Sequence, residues 1–390
     1  MITGAQLTAF SAPGRGPRVS RHDRMLPTLS GGLTVWRVLR TGGRRLGPGL
    51  AWAQSGGAIA AAGESAACVW NLARPGARPA VYPFATGAAG AVTAVFTSGR
   101  HVHAVRWASV RPIGPSRLCA VTFSGRSLRR INSTFSTLPI MAHDAALVGG
   151  GMGGWLGLLD CRRESAGTLY LFNARNVRSA FQQILLYPRW NTAFACARKK
   201  LLAIVSGGHR VHIYADRTGP RFTRLATVRV AGPALRVGCF SPWGRRIVLL
   251  CSTSRGSPDG RVCAAGVTSN AKTERLVTLR SGGATFTAPP AISPNGRLAV
   301  ISAAGAGGAK CWIVRTRNLR PLYFFIMRGD LPLSFAFSPG GGRLAIGGVA
   351  HVLIIKIAAP QPLDPRWLPR SAVRKVPIRG AHSWGGRQAR

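Results

Sequence analysis

Short apolar segments alternate with turn-forming residues along most of this 390-residue chain. In residues 291–301 an apolar pair is followed by Ser-Pro-Asn-Gly and then by a second apolar segment. Residues 237–250 and 335–346 repeat this order of strand, Ser-Pro turn and strand. Apolar segments with a period of two, bounded by Gly and Pro, predict β-strands joined by tight turns. The pattern therefore predicts an all-β protein built from a repeated unit.

Each unit ends on an aromatic or large apolar residue, and these closing positions recur about every 42 to 50 residues where they are clearest. They are Trp70, Phe172, Tyr214, Val262, Trp312 and Ile355. The interval between Trp70 and Phe172 leaves room for one less regular unit, around residues 101–135, which makes seven. One such unit cannot bury its own faces, so the units must stack around a ring or along a line.

The clearest units resemble WD repeats, whose typical unit passes through a Phe-Ser-Pro-Asp-Gly turn and ends in Trp-Asp. They span residues 50–71, 237–250, 291–314 and 335–357. The resemblance implies an all-β fold, a seven-bladed WD-repeat-like β-propeller in residues 31–358. By the same resemblance, residues 33–38 form an extra N-terminal strand that completes the last blade and closes the ring.

The units also depart from the WD-repeat pattern. No Trp-Asp dipeptide occurs, and the acidic residue before the closing strand survives only as Glu64 in the first unit. We therefore expect the hydrogen-bond network that stiffens typical members of this family to be missing.

The two ends of the chain differ in composition from the repeats. Residues 1–30 and 359–390 are rich in Arg, Pro and Gly, which predicts a basic N-terminal arm and a basic C-terminal arm. The N-terminal arm contains several arginines and no acidic residue before Asp23, as mitochondrial targeting segments do. Its Gly and Pro residues oppose the amphipathic helix of such a segment, so both interpretations stay open.

The net charge points to a polyanionic partner. The chain has 53 Lys and Arg against 10 Asp and Glu, a formal net charge of +43. A charge of this size repels itself unless an external partner neutralises it. Nucleic acid is the densest source of negative charge, and its counterions are released when basic side chains bind the phosphates. A membrane surface or an acidic protein usually binds a local basic patch, whereas these charges run from Arg15 to Arg390.

Candidate RNA-binding residues fall into three groups. Basic residues that follow the first strand of a unit should share one face of a ring, and these are Lys199, Lys200, Arg245, Arg246, Arg297 and Arg343. Further basic pairs are Arg44 with Arg45 and Arg129 with Arg130. The C-terminal arm adds Arg366, Arg370, Arg374 and Lys375, interleaved with tryptophans that suit base stacking. The alternative is that these cations are merely solvated on turns and tails.

Other chemistry has little support in the sequence. The ten carboxylates form no close pair at a catalytic motif, so we expect no enzyme activity, no cofactor and no small-molecule substrate. His101 and His103 lack a third metal ligand nearby, which favours a structural pair over a metal site. No segment has the composition of a membrane span, and the eight scattered cysteines are typical of small buried hydrophobes.

These features together predict a structural RNA-binding scaffold of a ribonucleoprotein. The most specific hypothesis is a mitochondrial ribosomal protein that contacts ribosomal RNA and neighbouring subunits. The alternative is a nuclear or nucleolar WD-repeat adaptor for ribosome assembly, although such proteins usually carry acidic stretches and better-preserved repeats.

Overall fold

The structure of the chain is a computed structural model. It describes residues 27–63, 65–74, 76, 78–84, 92–98, 101–109, 116–124, 130–138, 145–149, 155–160, 167–185, 192–195, 201–206, 210–216, 221–229, 235–241, 244–252, 260–266, 279–280, 285–286, 288–305 and 308–358. These residues form antiparallel strands and turns, and they include no helix that is long and apolar enough to cross a membrane.

The strands are arranged in seven sheets, numbered here as blades 1 to 7 in chain order. Blade 1 contains Leu46–Trp52, Ala58–Gly63, Ala66–Asn71 and Ala80–Pro83. Blade 2 contains Val92–Ser98, His101–Ser109, Ser116–Ser124 and Arg130–Leu138. Blade 3 contains Ala145–Gly149, Trp155–Asp160, Thr168–Asn173 and Asn176–Leu185. Blade 4 contains Thr192–Ala195, Leu201–Ser206, Arg210–Asp216 and Phe222–Arg229.

The remaining blades include both ends of the described chain. Blade 5 contains Leu235–Phe240, Arg246–Ser252, Gly260–Gly266 and Leu279–Arg280. Blade 6 contains a first strand in two pieces, Thr285–Phe286 and Ala291–Ile292, then Leu298–Gly305, Gly308–Arg315, Pro321–Met327 and the N-terminal strand β1, Thr28–Leu29. Blade 7 contains Ser334–Phe337, Arg343–Gly347, His351–Ile357 and the N-terminal strand β2, Leu33–Arg40.

The blades form a closed ring. The first strands of consecutive blades contact each other from blade 1 to blade 7, and the first strand of blade 7 contacts that of blade 1. The sequence prediction of an all-β propeller is confirmed, and the seven sheets agree with the seven predicted units. The predicted closing positions, such as Trp70, Trp312 and Ile355, all lie in the third strand of their blade.

The hydrophobic core lies between the blades. In the second strand of blade 1, Ile59 and Ala61 pack in the cluster shared with blade 7, whereas Ala60 and Ala62 pack in the cluster shared with blade 2. A strand covered on both faces is apolar at every position, which explains why all of Ala58–Gly63 is buried. No blade buries its apolar faces without two neighbours.

The antiparallel order gives the ring two distinct faces. We call "lower face" the end that carries the turns between the first and second and between the third and fourth strands of each blade. The "upper face" carries the turns between the second and third strands and the connections from one blade to the next. Every blade therefore contributes equivalent turns to the same face.

The N-terminal strand β2 closes the ring, as the sequence predicted. It pairs with the third strand of blade 7 from Leu33 opposite Ile357 to Arg40 opposite His351. The shorter strand β1 pairs with the outer strand of blade 6, with Thr28 opposite Ile326. The sheet structure therefore begins three residues before the boundary at residue 31 that composition suggested.

A tryptophan at a β-bulge seals the seam between blades 7 and 1. The register of β2 shifts between Val35 and Arg37, so Trp36 is the extra residue of the bulge. Trp36 packs against the cluster shared by these two blades. The guanidinium group of Arg37 donates a hydrogen bond to the carbonyl of Leu72 in blade 1, and the indole of Trp70 donates to the carbonyl of Arg40. Side chains as well as backbone pairing thus hold the closing strand.

One polar network braces blade 7, although the sequence suggested that such networks are missing. The Asp330 carboxylate accepts hydrogen bonds from the backbone N–H groups of Val349 at 2.7 Å and Ala350 at 3.3 Å, and His351 Nδ1 lies 3.1 Å from it. Burial acts to raise the pKa of Asp330, but these hydrogen bonds and the His351 ring outweigh it and lower the pKa. Gly348 is required here because a Cβ at that position would lie 2.2 Å from Asp330 Oδ2.

We predict that removing β1 and β2 opens the ring. A chain that begins at residue 41 lacks the partner of His351–Ile357 and the side chain of Trp36, whereas a chain that begins at residue 27 retains both. Loss of the buried Leu33 and of the partly buried Leu29, Trp36 and Leu39 should lower the free energy of unfolding by at least about 3 kcal/mol. Thermal unfolding followed by circular dichroism compares the two chains, and a peptide of residues 27–40 added in trans should raise the unfolding midpoint of the shorter chain towards that of the longer one. Equal unfolding midpoints would contradict a closing role for β2.

Candidate nucleic-acid interface

Four blades carry the same tight turn on the lower face. In each, a glycine with φ between 69° and 74° donates its N–H to the carbonyl three residues earlier, which closes a β-turn. The pairs are Gly56 with Ala53, Gly244 with Ser241, Gly296 with Ser293 and Gly341 with Ser338, at 2.8–2.9 Å. Only glycine adopts this left-handed conformation without strain, so the recurring glycine of the sequence unit has a structural cause.

These turns contact one another around the ring. A Cβ placed on Gly296 of blade 6 would lie 3.7 Å from Ser241 Cβ of blade 5, and one on Gly341 of blade 7 would lie 3.8 Å from Pro294 Cδ of blade 6. A Cβ placed on Gly56 of blade 1 would likewise lie 3.8 Å from Pro339 Cδ of blade 7. Blades 5, 6, 7 and 1 therefore present an unbroken row of turns, and the residue after each turn glycine lies on the same face.

The structure brings part of the predicted arginine set together on this row. Arg245 and Arg297 follow the turns of blades 5 and 6 and are exposed, and Arg343 follows the turn of blade 7 and is half-buried. The Arg246 backbone starts the second strand of blade 5. Arg130 begins the outer strand of blade 2 at the same face and is exposed.

Other predicted residues are not part of this row. Arg44 and Arg45 are exposed on the connection between blades 7 and 1, which places them on the upper face. The structure therefore separates this pair from the turn arginines. Arg129, Lys199, Lys200, Arg366, Arg370, Arg374 and Lys375 lie outside the described residues.

The turns between third and fourth strands add arginines that the sequence analysis missed. These turns lie on the lower face, as the bond from Thr316 N–H to the Arg297 carbonyl at 2.9 Å shows. Their exposed arginines are Arg74, Arg78, Arg175, Arg178, Arg221, Arg315, Arg317 and Arg320. Several follow an asparagine whose side chain caps the turn, as Asn318 Oδ1 accepts from Arg320 N–H at 3.2 Å. The recurring Asn-and-Arg pattern in the sequence was the signal that could have identified them.

Comparison with known proteins agrees with this architecture. No family model matches the chain, and no curated protein sequence does. A chain from the crystal structure of a mitotic checkpoint complex superposes with a TM-score of 0.57 over 91% of this chain and 99% of its own length, at 14% identity. The Myceliophteria thermophila Cps50 (Swd1) β-propeller domain gives a TM-score of 0.55 over 82% of this chain and 99% of its own length, at 11% identity. Both are WD40 propellers.

The chain has the fold of a WD-repeat-like β-propeller. At these levels of identity the likeness concerns the fold alone. The function of this propeller must therefore be argued from its own surface.

The lower face of the propeller is strongly cationic. Of the ten acidic residues of the chain, the structure describes Asp160, Asp216 and Asp330. The Asp330 carboxylate lies on the upper face, where backbone N–H groups and His351 already satisfy it. Asp330 therefore neutralises none of the lower-face arginines, and Asp216 is the one described acidic residue whose backbone lies at that face, at the end of the third strand of blade 4.

Arg343 differs from the other turn arginines because it also packs against the ring seam. Its guanidinium carbon lies 3.9 Å from the centroid of the Trp36 ring, and that of Arg37 lies 4.3 Å from the same centroid. Cation–π contacts of this length stabilise the folded state. Arg343 therefore has a structural role as well as a place on the lower face.

A histidine pair lies at the boundary of blades 2 and 3. The rings of His101 and His103 project to the same side of one strand, with centroids 6.4 Å apart. His103 is fully buried, and its Nδ1 lies 2.9 Å from Thr122 Oγ1. Burial, the neighbouring His101 and Arg175 lower the pKa of His103 to about 4. Within the described ranges, no group of three or more His, Cys, Asp or Glu residues could hold a metal ion.

The described cysteines are small apolar core residues, in line with their sequence context. Cys68, Cys119 and Cys311 are buried, and Cys239 is half-buried. Burial raises the pKa of each of these thiols, which keeps them protonated and poorly nucleophilic at neutral pH.

We predict that His103 makes the propeller less stable as the pH falls. Its pKa is about 4 when folded and near 6.5 when unfolded, so the unfolded chain binds more protons between these values. The stability contributed by the neutral ring is therefore fully present above pH 6.5 and is lost as the pH falls to about 4. The total loss over this range is up to about 3 kcal/mol. The measurement is the free energy of unfolding in urea between pH 4.5 and 8. The free energy of unfolding should depend less steeply on pH in a His103→Gln variant. An unchanged dependence on pH would contradict this role of His103.

Proposed function

We propose that this propeller is a scaffold that binds RNA through its lower face. The observation that carries the proposal is the set of exposed arginines on equivalent turns of neighbouring blades. Arg245, Arg297 and Arg317, for example, come from adjacent blades 5 and 6 and all face the same end of the ring. Turns held by glycine and asparagine display these side chains on a rigid frame, so the charges are arranged before the partner arrives.

The chemistry of the lower face favours the nucleic-acid backbone. An arginine guanidinium donates two parallel hydrogen bonds to a phosphate and stays charged at all relevant pH values. A curved row of such groups suits phosphates at regular spacing, and it contacts the backbone without reading sequence. The overall charge of +43 supports a polyanion as partner because the chain itself has too few acidic residues to balance it.

A scaffold role also fits the scarcity of catalytic groups. General acid–base chemistry needs positioned carboxylates or histidines open to a substrate. The one described carboxylate side chain, that of Asp330, is already bonded within blade 7, and His103 is buried. The mitotic checkpoint complex, in which one similar structure was solved, is an assembly of the kind a scaffold serves.

The lower-face proposal predicts that arginines of the two faces differ in their effect on RNA binding. A triple variant, Arg245→Gln, Arg297→Gln and Arg317→Gln, removes three exposed lower-face charges. It should weaken binding to a 30-nucleotide polyuridine roughly ten-fold or more at 150 mM salt and reduce the slope of log affinity against log salt by about 2. Fluorescence anisotropy at several salt concentrations measures both quantities.

A matched variant controls for net charge. Arg210→Gln, Lys310→Gln and Arg328→Gln remove three exposed cations near the upper face. This variant should bind the same RNA with less than about three-fold loss. Equal losses of affinity in the two variants would show that only the total charge matters, and they would contradict the assignment of RNA binding to the lower face.

We further propose that the ribonucleoprotein is a ribosome, and that the compartment is the mitochondrion. The support is the basic composition and the acid-free N-terminal segment with its arginines. A nucleolar adaptor for ribosome assembly is the second candidate, favoured by the use of WD40 propellers in protein assemblies.

Gradient sedimentation from fractionated cells tests this assignment. A tagged copy should migrate with a ribosomal subunit in the mitochondrial fraction, and RNase treatment should release it. Co-migration with nucleolar pre-ribosomes would favour the second candidate. Migration as a free protein that is indifferent to RNase would reject both.

A further inference from the structure

A tryptophan ring at the seam between blades 7 and 1 lies against two arginines. Trp36, the extra residue of the β2 bulge, is half-buried. The guanidinium carbons of Arg37 and Arg343 lie 4.3 Å and 3.9 Å from the centroid of its ring, which places them within about 8 Å of each other. Guanidinium groups are planar and stack on aromatic faces. We call this group of three planar side chains the seam stack.

The seam stack lies at the lower face. Arg343 is the first residue of the second strand of blade 7, directly after the lower-face turn, and it pairs with Lys356. Lys356 pairs in turn with Thr34 on β2. These paired residues point to the same side of the sheet as Ile354, two residues before Lys356, which packs in the cluster shared with blade 1. The seam stack therefore lies at the lower end of the interface between blades 7 and 1.

Glycines leave open space beside the seam stack. Gly342 of blade 7 and Gly57 of blade 1 stand where blade 6 has Arg297, since the carbonyl of each accepts a backbone hydrogen bond from the end of the third strand. A Cβ placed on Gly342, or on Gly340, would meet no heavy atom within 4 Å apart from its chain neighbours. Glycine permits a ligand to approach the backbone closely. A flat group can therefore reach the half-buried Arg343 from the lower face.

The charges around the seam stack favour an anionic ligand. The cations are Arg37, Arg343, the exposed Lys356 and the exposed Arg74. Arg74 lies two residues after Leu72, whose carbonyl accepts the hydrogen bond from Arg37. The three acidic residues that the structure describes belong to blades 3 and 4 and to the upper face, so none lies at this seam. Like charges at such short distances repel each other, and a phosphate bound among them relieves the repulsion. A ligand that combines a flat ring with phosphates, as a nucleotide does, fits both properties of the seam.

We propose that the seam stack binds one unpaired base of an RNA strand, which stacks on the Arg343 guanidinium while Lys356 and Arg74 hold the neighbouring phosphates. This inference rests on the RNA-binding function proposed above and names its substrate class, single-stranded RNA. Bases within a duplex are already paired and stacked, so they do not enter the seam. Every base has a face that stacks, so the site selects single strands without reading their sequence.

Two RNAs of equal charge measure the contribution of the base. A 12-nucleotide polyuridine and an abasic ribose-phosphate chain of the same length differ only in their bases. The full chain should bind the polyuridine at least about five-fold more tightly, because only this RNA supplies a stacked base. Fluorescence anisotropy at 150 mM salt measures both affinities. Equal affinities for the two RNAs would overturn the base site.

Two lysine substitutions locate the base at the seam. Arg343→Lys keeps the charge but removes the planar group, and Arg297→Lys makes the same change on the lower-face turn of blade 6. The preference for polyuridine over the abasic chain should fall at least about three-fold in the first variant. The second variant should affect both RNAs alike and so keep the preference. Because both RNAs are measured on the same protein sample, any loss of folded protein cancels in this ratio.

The outcomes keep the inference and the proposed function apart. If the full chain binds neither RNA, the RNA-binding proposal itself fails. If it binds both RNAs equally, or if the two lysine variants keep the same preference, RNA binding stands and only the seam site is wrong.

Discussion

Closure of the ring at the seam between blades 7 and 1 is the constraint on which the rest of the molecule depends. The second and third strands are apolar on both faces, so a blade is stable only between two neighbours. The last blade obtains its outer strand from β2, more than 300 residues away in sequence from its partner His351–Ile357. The bulged Trp36 and the hydrogen bond from Arg37 to Leu72 extend this pairing into blade 1. The loop-closure entropy lost in forming such a distant contact is offset only after the blades between the two strands have formed.

The closed ring also decides where the charge lies. The space between blades is filled mainly by apolar side chains, so most of the described arginines lie on turns and outer strands, with Arg106 as a buried exception. Because the blades repeat, equivalent turns add their charges on one face instead of scattering them. Asp330, the described acidic side chain, lies on the other face and is used to brace blade 7. The RNA-binding proposal depends on this asymmetry more than on the total charge.

Excess positive charge affects buried polar groups as well as the surface. Burial lowers the pKa of His101 and of His103, and the positive charge of Arg175 lowers both further. His212, paired with Thr227 in blade 4, likewise has its pKa lowered by burial and by neighbouring arginines. Phosphates bound near such arginines, as the RNA-binding proposal predicts, would weaken this effect and raise the pKa values of these histidines.

The sequence by itself determined the strands, the Ser-Pro-x-Gly turns and the number of units, because apolar periodicity and turn residues act locally. The closing strand at residues 33–38 was implied instead by the resemblance to WD repeats. The shared face of Arg245 and Arg297 also followed, since equivalent positions of a repeat face the same way. Only the tertiary structure separated Arg44 and Arg45 from them, because the face of a connection depends on strand direction and ring closure. Contacts between residues distant in the chain, such as Arg343 on Trp36 or Asp330 with His351, have no periodic signal. They arise only where folding brings two blades or two turns together.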